Sequence, residues 1–129
     1  WTSQYWYPDY NYHYSIPEVG LEFVFVDTNY ENVVQNLGCT ARGFREAFSK
    51  CGGTAPVAAF MKRVGESGRE LLRRRAREGT ANTTVILQHY PGGCQRGLFN
   101  SSVPESRNTS VLCAYGHAHD QRCDERDAQ

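Results

Sequence analysis

The sequence predicts an α/β fold, and three observations predict it. An alternating aromatic stretch is followed by an apolar run that ends in polar residues. A longer stretch then carries apolar residues at helical spacing. Two short apolar runs come last, and each stops at a histidine motif. The order is strand, strand, helix, strand, strand, with imidazoles at the ends of the last two strands.

Tyr10, Tyr12 and Tyr14 alternate with Asn11, His13 and Ser15, a period of two that predicts a half-buried strand. The aromatic crowd from Tyr5 to Tyr14 reads as packing rather than as a sugar or base platform. His13, on the polar side, reads as a surface histidine. Ile16 to Gly20 carries turn chemistry, and Leu21 to Val26 is apolar on both faces except at Glu22. The pair reads as a hairpin whose second strand is central and covered on both sides, with Asp27-Thr28-Asn29 at its far end.

Cys39 and Cys51 bracket a short segment with helical spacing at Phe44, Ala47 and Phe48, and a local Cys39–Cys51 disulfide is expected. After Gly52-Gly53, a longer helix is predicted from Pro56. Val57, Phe60, Met61, Val64, Leu71 and Leu72 form its apolar stripe. Gly65 and Gly68 are expected to weaken or split it, and Gly79 to end it. The run Arg73-Arg74-Arg75-Ala76-Arg77 allows a processing site or an anion patch. It reads better as a solvated face that complements the C-terminal end of the helix dipole.

Thr84 to Leu87 is a β-branched and apolar run that stops at His89-Tyr90-Pro91, where proline cannot continue a ladder. The loop from Gly92 to Asn108 is long for a compact domain, so it is either functional or disordered. Ser110 to Tyr115 forms the last strand and stops at Gly116-His117-Ala118-His119. Pairing Cys94 with Cys123 is expected to tie the loop beside the histidines and to leave Cys113 buried and free.

The chain has 129 residues, enough for one domain but not two. With 14 basic and 14 acidic residues it carries no net charge that would draw it to nucleic acid or to a membrane surface. Its apolar runs are too short to span a bilayer. Three N-x-[ST] acceptors, at Asn82, Asn100 and Asn108, and five cysteines suit a secreted or lumenal glycoprotein, lysosomal, vacuolar or extracellular. Trp1-Thr2-Ser3 has neither the initiator nor the apolar core of a leader, so the chain is expected to be a piece of a longer protein.

His89, His117 and His119 are candidate metal ligands. A structural zinc site uses closely spaced Cys or Cys/His pairs, which are missing from this sequence. Three histidines suit a catalytic centre with open positions better. Asp120 and Gln121 follow as candidates to orient those ligands.

Gln88-His89-Tyr90-Pro91 and Gly116-His117-Ala118-His119-Asp120-Gln121 resemble the last two motifs of the calcineurin-like metallophosphoesterases. The likeness is best to the purple (tartrate-resistant) acid phosphatases, whose motifs read G-H-Y-P and G-H-x-H. Trp6-Tyr7-Pro8 with Tyr10, Tyr12 and Tyr14, and then Phe23 to Thr28, are similar to that family's aromatic strand and its following "LDT" strand.

The resemblance implies a hydrolase of small phosphate monoesters with a binuclear metal centre. Residues like His89 and His117 hold the second metal and one like His119 the first. The first is ferric iron, the second iron, zinc or manganese. It also implies that residues 1–129 are the C-terminal portion of one four-layer α/β/β/α sandwich whose N-terminal half is missing. The motifs D-x-G, G-D-x-x-Y and G-N-H-[DE] have no counterpart, so no catalytic residue beyond the metal ligands is assigned. The isolated chain is expected to be unstable and inactive. Gln88 stands where the family has glycine. Two other readings stay open: a non-catalytic secreted glycoprotein with a degenerate version of the fold, and a nucleotide or phosphodiester hydrolase of the same fold.

Overall fold

A computed structural model describes residues 9–35, 42–90 and 94–116. They form an α/β unit with a four-stranded mixed sheet in the order β1-β2-β3-β4. The strands are β1 (Tyr12–Ile16), β2 (Leu21–Phe25), β3 (Thr83–Gln88) and β4 (Ser110–Tyr115). The helices are α1 (Arg42–Ser49), α2 (Thr54–Glu78) and α3 (Arg96–Asn100), with a π-type helical segment at Tyr30–Gln35.

The expected hairpin forms. β1 and β2 are antiparallel, with Tyr12 opposite Phe25 and Ile16 opposite Leu21. A 3-10 turn, Pro17–Val19, joins them and closes on Gly20, whose φ of 63° lies in the left-handed region that glycine enters without strain. β3 runs parallel to β2, and β4 parallel to β3. The carboxyl ends of β2, β3 and β4 therefore share one edge of the sheet.

Alternation along each strand divides the sheet into two faces. Val24, Ile86 and Val111 lie on one face and form the core with Leu71, Leu72 and Ala76 of α2 and Phe99 of α3. The opposite face carries the rows Tyr12–Phe25–Leu87–Ala114 and Tyr14–Phe23–Val85–Leu112. β2 is central in its sheet, as expected, but the helices cover it on one side only. Tyr14 and Leu112 are 52% and 56% exposed.

α2 is a single helix across both of its interior glycines. Gly65 and Gly68 are buried contact points rather than breaks. A Cβ on Gly68 would lie 2.6 Å from Asn11 Oδ1, so the helix needs a residue without a side chain there to approach β1. Gly79 ends the helix, its N–H donating to the Arg75 carbonyl at 2.8 Å. The arginine run is only partly a solvated face. Arg73 and Arg77 pair with Glu70 at the surface, but Arg75 turns inward to Glu22.

Both expected disulfides are corrected. Cys94 bonds Cys113, with a Cα–Cα distance of 6.3 Å, and not Cys123. Cys113 shares the helix-covered face of β4 with Val111, and Cys94 leads into α3 on that side, so the two meet there. Cys51 is a free, exposed thiol in the turn between α1 and α2, so the Cys39–Cys51 bridge is not formed. Cys39 and Cys123 lie outside the described residues. The bridge closes a 19-residue separation, for which chain entropy gives about 3 kcal/mol of stabilisation. Cys94→Ser is expected to lose about that much in a urea titration, and reducing the wild type should lower its midpoint to the same value. Identical midpoints with and without reductant would show that the bridge contributes nothing.

The Gly92–Asn108 loop is not structureless. It contains α3, and Phe99 within it is fully buried. Asn82, Asn100 and Asn108 are all exposed. No described helix is long and apolar enough to cross a membrane.

Candidate functional site

The register places three strand ends level. Phe25 is opposite Leu87, and Leu87 is opposite Ala114. Two residues beyond each stand Asp27, His89 and Gly116. Carboxyl ends of parallel strands are where open α/β sheets gather their sites, and a cavity of about 360 Å³ lies there. Tyr10, Tyr12, Phe25, Asp27, Asn29, Gln88, His89 and Tyr90 contribute to its wall.

His89 is exposed at this edge, and its ring meets that of Tyr90 edge to face at 4.8 Å. The turn that carries it is fixed from below. Gln88 is 6% exposed, and its Nε2 donates to the Tyr90 carbonyl at 2.6 Å. Gln88 Oε1 is buried with no donor among the described residues. The Gly116 N–H donates to the His89 carbonyl at 3.1 Å, so β4 ends against the His89 turn. A Cβ on Gly116 would lie 3.6 Å from His89 Nδ1. His117 is the next residue in the chain. His117, His119, Asp120 and Gln121 lie outside the described residues.

Asp27 is held as firmly. Its Oδ1 accepts from the Asn29 N–H and its Oδ2 from Asn29 Nδ2, both at 2.8 Å. The Asp27 N–H donates to Asn11 Oδ1 at 2.8 Å, while Asn11 Nδ2 donates to the Val64 carbonyl and to Ser67 Oγ of α2. Asn11 thus ties the Asp27 turn to both β1 and α2. Sequence reasoning gave Asp27 no role and read it as the far end of a hairpin. The signal was available: if β2 and β3 are parallel, Asp27 and His89 must emerge at the same edge.

His13 lies away from this edge and is exposed, as expected. Its pKa is lowered from the ordinary imidazole value, first by partial desolvation and then by Arg75.

An imidazole and a carboxylate are donors of a kind that first-row metal ions accept, so the cavity wall suits such an ion chemically. Among the described residues, no three His, Cys, Asp or Glu side chains converge closely enough to hold a metal by themselves. No family model, curated protein or solved structure matches this chain.

Proposed function

We propose that the chain is part of a two-metal phosphoester hydrolase, acid phosphatase-like, acting on small phosphate monoesters. The observation that carries this reading is the Gly116 backbone against His89, which brings the start of the Gly-His-Ala-His motif to the His-Tyr-Pro motif across adjacent parallel strands. His89, His117 and His119 are the residues that would hold the ions, iron with iron, zinc or manganese. Asp120 and Gln121 would orient them. When bound, such a pair supplies a hydroxide nucleophile and neutralises charge at phosphorus.

This chain's own residues do the positioning. The Gln88–Tyr90 hydrogen bond and the Gly116 contact hold the backbone that presents His89. The rings of Tyr10, Tyr12, Phe25 and Tyr90 form an apolar part of the cavity wall. The open face of the sheet, with Phe23, Phe25, Val85 and Leu87, supports a second sheet packed upon it in a four-layer α/β/β/α sandwich. In this reading residues 1–129 contribute the C-terminal portion of one domain. The Cys94–Cys113 bridge and three exposed acceptor asparagines support a secreted or lumenal location.

The test is metal content together with aryl-phosphate hydrolysis, measured on the longest natural form of the protein. About two ions per chain are expected, and His117→Ala should lose metal and most of its turnover, a loss no smaller than the roughly 10–100-fold typical of groups that only orient a ligand. Gln88, a buried carboxamide where the resembled family has glycine, favours one second reading: a non-catalytic glycoprotein that keeps the fold. A folded, secreted and metal-free protein would establish it. A phosphodiester or nucleotide hydrolase differs only in substrate profile.

A further inference from the structure

The cavity beside His89 has a chemical character that hydrolysis alone does not require. Four aromatic rings, those of Tyr10, Tyr12, Phe25 and Tyr90, contribute to its wall. Ring contacts hold three of them in place. Tyr12 stacks on Phe25 with centroids 4.4 Å apart, and Tyr10 meets Phe60 of α2 edge to face at 5.4 Å. Asp27 adds a carboxylate, and no lysine or arginine lines the cavity among the described residues. Asp27 forms no salt bridge among those residues either. Arg69 of α2, which lines a smaller neighbouring pocket together with Asp27, pairs with Glu31.

Ring faces and an unneutralised carboxylate attract a cation. Each Asp27 oxygen accepts one hydrogen bond from Asn29 and keeps a lone pair and its share of the charge for a ligand. A quaternary ammonium has no N–H to satisfy and is held by ring quadrupoles and charge alone. The volume, about 360 Å³, falls within the range of small-molecule sites.

We propose that this cavity binds a quaternary ammonium group. Resting on the hydrolase reading above, this makes the substrate a phosphate monoester of a quaternary amino alcohol, its cationic end against Tyr12 and Asp27 and its phosphate toward His89.

The experiment titrates the longest natural form of the protein, without added metal, with choline and with its uncharged carbon isostere, 3,3-dimethylbutanol. Calorimetry or tyrosine fluorescence reads the binding. Choline is expected to bind about tenfold more tightly than the isostere. Asp27→Asn should weaken choline about fivefold and leave the isostere unchanged. Equal affinity for the two ligands, or choline that fails to saturate, overturns the proposal. Because the comparison is made on the wild type, it stands even if Asp27→Asn does not fold. Failure of the hydrolase reading is separately visible. A protein that binds choline but takes up no metal keeps the cavity assignment and loses the hydrolase. A metal-loaded hydrolase indifferent to choline does the reverse.

Discussion

Glu22→Ala is expected to destabilise the fold by about 3–5 kcal/mol, the cost of leaving buried charge without its partner. Glu22 is the second residue of β2 and is fully buried. Its Oε1 accepts from Arg75 Nε at 2.6 Å and from Ser15 Oγ at 3.2 Å. The Arg107 guanidinium also lies close enough to feel the Glu22 charge. A Cβ on Gly79 would lie 3.1 Å from Glu22 Oε2 and 3.0 Å from Arg107 Nη2, so the missing side chain of Gly79 leaves room for all three groups. Burial pushes the Arg107 guanidinium below its ordinary pKa, and Glu22 pulls it back. Without Glu22, two guanidinium groups would remain against the C-terminal turn of α2 with no carboxylate between them. The effect is read as the shift in urea midpoint at constant slope. A loss below ~1 kcal/mol would mean that water reaches the arginines and the cluster is in effect a surface pair. The double variant Glu22→Leu with Arg75→Met should recover part of the loss, because replacing a buried pair with apolar groups of similar volume is often neutral.

What the sequence disclosed, and what it withheld, divides along local and tertiary causes. β1, β2 and their turn were legible because a period of two and Pro17 with Gly20 act within a few residues. The histidine-ended strands were legible for the same reason. Gly65 and Gly68 were misread because the sequence shows only their low helix propensity. Their actual reason is Asn11 and Glu31, far away in the chain and pressed against α2. Arg75 was grouped with its neighbours because a run of like charges looks uniform. Only the rotation of α2 over β2 singles out the one that faces Glu22. The partner of Cys94 depended on where α3 lies, and a five-residue helix among Gly, Ser and Pro leaves no periodicity to find. At the site, His89 was read directly, but Asp27 and Asn11 became visible only once β2 and β3 were seen to run in parallel.

Phe99→Ala is expected to cost about 3–5 kcal/mol, the range for truncating a fully buried aromatic ring. That outcome decides what the segment between the two histidine motifs is. If it were a mobile lid, Phe99 would contribute little to global stability. Instead it is fully buried against the core that α2 and the sheet share, and Leu98 and Val103 pack beside it. Its ring also lies 5.9 Å from the Arg107 guanidinium. Arg107 Nη1 donates to the carbonyls of Arg75 and Ala76 at the end of α2, and Nη2 to that of Ala81. Removing the ring therefore opens a cavity and loosens the group that caps the last turn of the principal helix. Phe99→Leu, which keeps most of the volume, should cost less than half as much. A unit in which both variants are nearly neutral by thermal melting would have a separable α3, and the Gln95–Val103 stretch would then be a dispensable lid. With Phe99 packed in the core, deleting Gln95–Val103 is expected to unfold the unit, and any accompanying loss of activity would reflect lost structure rather than a missing gate.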